Sequence, residues 1–216
     1  TQPSAHHMLI LASYRCLNDF DWCKKVLQEN SISDVYTRQV LEPRLEIELK
    51  KNIPLLGKIK DTVSSKVKEQ YEESPYPRWV NLRLPLKPMS IASVVDEIKL
   101  KLHDDKITEV AKPDILIAGC GTGQHSIGTA TRFKSSNVLA VDLSLSSLAY
   151  AKRKTEELNI SNIEYMQADI LDLRMLNKQF DIIESSGVLH HMADPIAGWQ
   201  VLPACLKKNG LMKKDQ

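Results

Sequence analysis

Hydrophobic and polar positions follow two different rhythms along the chain. Up to about residue 73, apolar side chains recur at helical intervals: Leu9, Tyr14 and Leu17, then Trp22, Val26 and Leu27, then Val40, Leu41, Leu45 and Leu49. Lys and Glu fill the gaps, so this stretch is predicted to be helical. Asp19 and Asp21 mark a turn and a helix start, and Asn30-Ser31-Ile32-Ser33 a break followed by a new cap. No repeat period is strong enough to predict a solenoid. A further helix is predicted over Asp61–Glu73, through Val63, Val67 and Tyr71, until Ser74-Pro75 stops it. The two prolines of Pro75-Tyr76-Pro77-Arg78-Trp79 hold the next segment extended. Residues 81–89 read as a connecting loop. Ser90 then caps a helix whose apolar stripe is Ile91, Val94, Val95, Ile98 and Leu102.

From Asp114 the rhythm changes. Ile115–Ala118 is a short, wholly apolar run, as expected of a strand buried on both faces. Helical text follows from Gln124 to Phe133, a second strand at Val138–Val141 and a long helix at Ser144–Asn159. A third strand is predicted at Ile163–Met166, a fourth at Phe180–Glu184, a helix at Pro195–Cys205 and the start of a fifth strand at Leu211–Lys213. Strands alternating with helices of this length imply an α/β fold with a doubly wound, mainly parallel sheet. The expected organisation is a helical region over 1–60, a linker with covering helices over 61–110, and the sheet domain over 111–216.

Composition narrows the class. The 216 residues are 43% hydrophobic and 26% charged, which is the balance of a folded protein. Apolar runs such as Met8–Ala12 are far too short to cross a bilayer, and no secretory signal is visible at the start. The 29 basic and 27 acidic side chains leave a net charge of +2, which argues against a dedicated nucleic-acid surface. Cys16, Cys23, Cys120 and Cys205 form no CxxC pair and have no His at zinc-ligand spacing. They read as reduced thiols of a cytoplasmic protein, with no metal site.

Four features carry chemistry. Gly119-Cys120-Gly121-Thr122-Gly123 lies between a buried strand and a helix. Glycines there permit positive φ and close approach of a ligand, and the helix start offers unpaired N–H groups to an anionic group. Asp142 ends the second strand, where the carboxyl ends of adjacent strands share one crevice, and an acid there can accept both hydroxyls of a ribose. The competing reading is that Asp142 caps the helix that Ser144 begins. Asp169, just after the third strand, can accept an adenine amine, with Ile170 and Leu143 sandwiching the ring; alternatively it is a solvated loop acid. Fourth, His190 and His191 follow the fourth strand, whose carboxyl end faces the reacting end of a ligand bound at the switch point. Adjacent turn residues point in different directions, so both are not expected to serve the site. The glycine loop and Asp142 alone suit a dinucleotide enzyme too, although Gln124 stands where that fingerprint has its last glycine.

Residues 114–213 resemble a class I S-adenosylmethionine-dependent methyltransferase. The resemblance rests on DILIAGCGTGQHS, VLAVDLS, YMQADILDL, FDIIESSGVLHHMADP and LKKNGLM, five motifs in order. QYEESPYPRW is similar to a stretch of a bacterial subgroup in which a tetratricopeptide-like helical region precedes the methyltransferase domain. The resemblance implies a Rossmann-like sheet, S-adenosylmethionine as cofactor and an unidentified, small-molecule methyl acceptor. The N-terminal helices are a candidate surface for a protein partner. By residue, the resemblance implies that Gly119, Gly121 and Gly123 wrap the methionine part, with Cys120, Thr122 and Gln124 of the same loop also binding the cofactor. Asp142 would bind the ribose, and Asp169 and Ile170 would contact the adenine, with Leu143 also among the cofactor-binding residues. Ser186 and Gly187 would line the methyl channel, and Tyr71 or Tyr76 would fold over the cofactor. Tyr71 and Trp79 also read as simple packing residues.

Two departures stand out. Many members carry an acid two residues before the first glycine, where this chain has Ile117. The family sheet has seven strands, whereas the text ends at the fifth, so the sequence is expected to be part of a longer protein. Direct methyl transfer is the leading expectation, with His190 and His191 as the candidate general bases. A non-catalytic binding module and an NAD-type oxidoreductase are the alternatives.

Overall fold

The computed structural model describes residues 3–25, 32–58, 69–73, 75–85 and 87–215. Val26, Leu27, Asn30, Ser31, Val63 and Val67, and the expected boundary at 60/61, lie outside the described residues. The chain packs as two compact units, Thr1–Asn52 and Ile53–Gln216.

The first unit is helical. Helix α1 (Ala5–Ala12) is capped by Ser4, whose hydroxyl accepts the His7 N–H. Two 3₁₀ turns follow, Leu17–Asp19 and Asp21–Lys25. Helix α2 (Ser33–Tyr36) continues through a π turn, Thr37–Leu41, into α3 (Glu42–Lys50). Met8, Leu17, Cys23, Ile32, Tyr36 and Val40 make its core. The Gln39 amide ties two segments together: its oxygen accepts the Leu17 N–H at 3.1 Å, and its nitrogen donates to the Ala12 carbonyl at 3.0 Å.

The helical reading stops at Ile53. Leu55 forms a β-bridge to Gln167 instead, because Pro54 has no N–H to give a helix and the segment meets the edge of the sheet. The Gln167 N–H donates to Pro54 O at 2.8 Å and the Leu56 N–H to Gln167 O at 2.9 Å. Helical structure returns over 69–73. Helix α4 (Ile91–Glu97) begins at Ser90, whose hydroxyl accepts the Ser93 N–H at 3.1 Å. It is shorter than the apolar stripe predicts. Lys99 turns the chain with φ 54°, which leaves Ile98 exposed.

The sheet occupies the rest: β1 (Asp114–Ala118), α5 (Gln124–Arg132), β2 (Asn137–Asp142), α6 (Leu145–Glu157), β3 (Ile163–Gln167), β4 (Phe180–Ser186), α7 (Pro195–Ala204) and β5 (Leu206–Asp215). All five strands are parallel, in the order β3-β2-β1-β4-β5. This is the doubly wound α/β fold expected from the sequence. β1 and β4 are almost wholly buried; β1 is apolar on both faces beyond Asp114, whereas β4 carries the buried polar residues Asp181, Glu184 and Ser185 among its apolar ones. Leu116, Ala118, Val141, Leu173, Phe180, Ile183 and Leu202 form the centre of the core.

The fifth strand starts earlier than predicted. Leu206 already pairs with Phe180, and the ladder resumes at Ile182 with Leu211. The residues between form a bulge that absorbs the polar Lys207-Lys208-Asn209 run. Gly210 is needed there, since a Cβ would lie 2.9 Å from the Asp181 carbonyl oxygen.

Candidate functional site

The order of the strands reverses between β1 and β4, and a crevice opens at their carboxyl ends. It holds a cavity of about 430 Å³, a size suited to a nucleoside-sized ligand. The glycine loop forms its floor. Gly119, Gly121 and Gly123 all have positive φ, at 79°, 52° and 89°. A side chain at Gly119 would overlap Val188, and a Cβ at Gly123 would sit 2.6 Å from that of Ala151. Gly121 meets open space instead. Two glycines are therefore required by packing, and the third leaves the cavity clear.

Asp142 fastens this loop. One carboxylate oxygen accepts the Gly121 N–H at 2.8 Å, and the other accepts the Ser144 N–H at 2.9 Å. Burial raises its pKa, against the lowering effect of the backbone donors. The second bond closes a turn just before α6, whose cap is Ser144 and not Asp142, and Asp142 lines the cavity. Ser144 caps α6 by accepting the Ser147 N–H at 3.0 Å. Asp169 is buried rather than solvated and caps the following 3₁₀ turn through the Leu171 N–H. Ile170 and Leu143 also line the cavity.

Of the site residues expected from sequence, Tyr71, Gly119, Cys120, Gly121, Thr122, Gln124, Asp142, Leu143, Asp169, Ile170, Ser186, Gly187 and His191 line the cavity. Gly123 and His190 do not. Gly123 lies beneath, packed on α6. The His190 and His191 ring centroids are 4.0 Å apart, but only His191 lines the cavity. The Cys120 thiol is pushed well up by burial and by the nearby Asp142 charge, so it stays protonated.

The upstream segment clamps the loop from outside. Trp79 is buried; its indole N–H donates to the Thr122 carbonyl at 2.9 Å, and the Thr122 hydroxyl donates to the Pro77 carbonyl at 2.7 Å. The Tyr150 hydroxyl donates to the Trp79 carbonyl, and Lys154 reaches the Val80 carbonyl at 3.1 Å. Trp79 is thus a packing and clamping residue, not a cavity wall. Tyr71 lines the cavity, and its neighbour Glu72 docks on the start of α6, accepting the Ser146 N–H at 3.0 Å. Tyr76 is the other aromatic at the rim and is 76% exposed.

Sequence reasoning missed a polar cluster on the far side of the loop. His125, on the first turn of α5, lines the cavity. Its Nε2 lies 2.7 Å from Oε2 of Glu184 on β4, and the Thr129 hydroxyl donates to the same oxygen at 2.6 Å. Burial raises the Glu184 carboxyl, but the His125 and Thr129 hydrogen bonds and the charges of His125 and Lys213 outweigh it and hold it below the ordinary value. Lys213 lines the cavity as the register partner of Glu184 on β5. No local pattern marks this cluster, since its members meet only through strand pairing.

Residues 115–210 match the methyltransferase domain family. The chain is 33% identical over 105 residues to an uncharacterized protein from Synechococcus, covering 48% of this chain and 25% of that protein. It is 26% identical over 129 residues to a ubiquinone biosynthesis O-methyltransferase from Acinetobacter baumannii, covering 59% and 51%. It thus matches a quarter to about half the length of these curated relatives. Magnesium protoporphyrin IX methyltransferase from Synechocystis, solved with bound S-adenosylmethionine, superposes with a TM-score of 0.49 at 20% identity, covering 70% of this chain and 75% of that one. The matched segment runs from β1 into the bulge of β5 and contains the glycine loop, Asp142, Asp169 and the β4 turn. Among the described residues, no group of His, Cys, Asp and Glu is arranged to hold a metal ion, and no helix is long and apolar enough to cross a membrane.

Proposed function

We propose that the chain transfers the methyl group of S-adenosylmethionine to a small-molecule acceptor. The observation that carries this reading is the wall of the cavity. It combines a glycine loop open at Gly121, a carboxylate at the end of β2, and the Asp169-Ile170 pair after β3. These residues fit the cofactor: Asp142 would take the ribose hydroxyls, Asp169 and Ile170 the adenine, and the start of α5 the amino-acid end. When bound, S-adenosylmethionine supplies an activated methyl group on a sulfonium.

The protein's contribution is then alignment and exclusion of water. Ser186 and Gly187 line the cavity beyond the glycine loop, next to His191 and Met192. His191 is the candidate to accept a proton from an acceptor that is not already ionised, and His190 is set aside because it does not line the cavity. Tyr71 and Tyr76 serve as the cover. The ubiquinone biosynthesis O-methyltransferase relatives support a small acceptor. A protein partner for the helical unit stands as part of the same proposal.

Titration calorimetry with S-adenosylhomocysteine, with NAD as control, tests the reading. Micromolar binding of the former alone is expected. Binding of NAD alone would overturn it in favour of an oxidoreductase, and binding of neither would favour a non-catalytic module.

A further inference from the structure

Resting on that cofactor reading, we infer that His125 and Glu184 act as one unit that takes the ammonium of the cofactor's amino-acid end. Glu184 is only 8% exposed and does not itself line the cavity. Its contact with the cavity is His125. A carboxylate oxygen that accepts the Thr129 hydroxyl at 2.6 Å and meets His125 Nε2 at 2.7 Å requires the proton on Nε2. Nδ1 is then the second polar atom of the ring. In the neutral imidazole it is an acceptor, made more basic by the carboxylate behind it.

The geometry fixes which end of the ligand this meets. Asp142 and Asp169 lie at the ends of β2 and β3, on one side of the glycine loop. His125 and Lys213 lie on the other side, on α5 and β5. A nucleoside lying against the first pair directs its 5′ substituent toward the second. That end of the cavity offers both signs: the anionic Glu184 carried outward by His125, and the Lys213 ammonium with the first N–H groups of α5. A zwitterionic amino-acid group needs both, and a plain alkyl substituent needs neither. Ile117, which pairs with Glu184 across β1 and β4, is apolar and fully buried, so β1 supplies no charge here.

The test compares two ligands on the full chain. S-adenosylhomocysteine carries the amino-acid end, and 5′-methylthioadenosine lacks it. Calorimetry on the unaltered protein should show tighter binding of the former. Glu184→Gln and His125→Ala should each weaken S-adenosylhomocysteine about ten- to hundredfold, the effect of losing one charge-assisted hydrogen bond, and leave 5′-methylthioadenosine within about twofold. Unchanged S-adenosylhomocysteine affinity in both variants would overturn the inference, as would equal weakening of both ligands, which marks a structural role. Thermal melts establish folding of each variant. If Glu184→Gln does not fold, the ligand comparison on His125→Ala decides. Unaltered protein that binds neither ligand would instead bring down the cofactor reading itself.

Discussion

Ile117 and Glu184 stand opposite one another on adjacent parallel strands, β1 and β4. The resemblance places an acid on β1 at Ile117, and this chain carries a carboxylate at the same level one strand over. The displacement moves the charge off the glycine-loop strand and under α5, where His125 and Thr129 hold it. A charge at this depth persists only when its hydrogen bonds are made.

The first prediction concerns pH and stability. Glu184 has a folded-state pKa below its ordinary value of 4.5 because His125, Thr129 and Lys213 favour its charged form more than burial disfavours it. A depressed acid pKa contributes stability that is present above the unfolded value and lost as pH falls through the folded one. Glu184→Gln should therefore be less stable than the unaltered protein by about 1–3 kcal/mol at neutral pH. The gap should narrow as pH falls below about 4.5. Urea unfolding at a series of pH values measures it, and a gap independent of pH would refute the assignment.

The glycine loop separates packing from ligand access. Gly121→Ala costs only the left-handed backbone, roughly 1–2 kcal/mol, but puts a methyl group into the cavity and should abolish S-adenosylhomocysteine binding. Gly119→Ala adds an overlap with Val188 to the same backbone cost and should be the less stable of the two. Melting temperatures and calorimetry on the pair decide this, and the reverse stability order counts against it.

Trp79 should matter to the fold more than to the ligand. Replacing it with Phe removes the hydrogen bond to Thr122 and should cost about 1 kcal/mol. Replacement with Ala also empties a site packed by Ile127 and Tyr150 and should cost about 3–5 kcal/mol. The comparison is made by denaturant midpoints. Equal losses would mean that the indole N–H, not the ring, does the holding.

Tyr71 offers the opposite case. It is half-buried and lines the cavity, and its backbone carbonyl, not its ring, accepts the Ser144 hydroxyl at 3.0 Å. Tyr71→Ala should weaken S-adenosylhomocysteine several-fold while changing stability by less than about 1 kcal/mol. A large stability loss with unchanged affinity would assign Tyr71 to packing.

Much of this protein is local and was therefore legible in its sequence. The apolar run at Ile115–Ala118 marked a strand because a strand buried on both faces has no polar side. Ser90 and Ser144 marked helix starts because a hydroxyl at that position completes the first turn. The glycine loop, Asp142 and the Asp169-Ile170 pair could be read because each sits at or just beyond the end of a strand, and parallel strands deliver their ends to one crevice. Other features depended on the tertiary structure. The bridge of Leu55 to Gln167, through the backbone of Pro54 and Leu56, overrode a helical expectation by offering partners from a distant strand. The early start of β5 needed a bulge that no run of Lys-Lys-Asn announces. Only one of two adjacent histidines lines the cavity. His125 and Glu184, 59 positions apart, became partners because the sheet places β4 beside β1 and α5 above them. Sequence spacing governs what neighbours along the chain can do, whereas strand order decides which distant charges must find each other once water is gone.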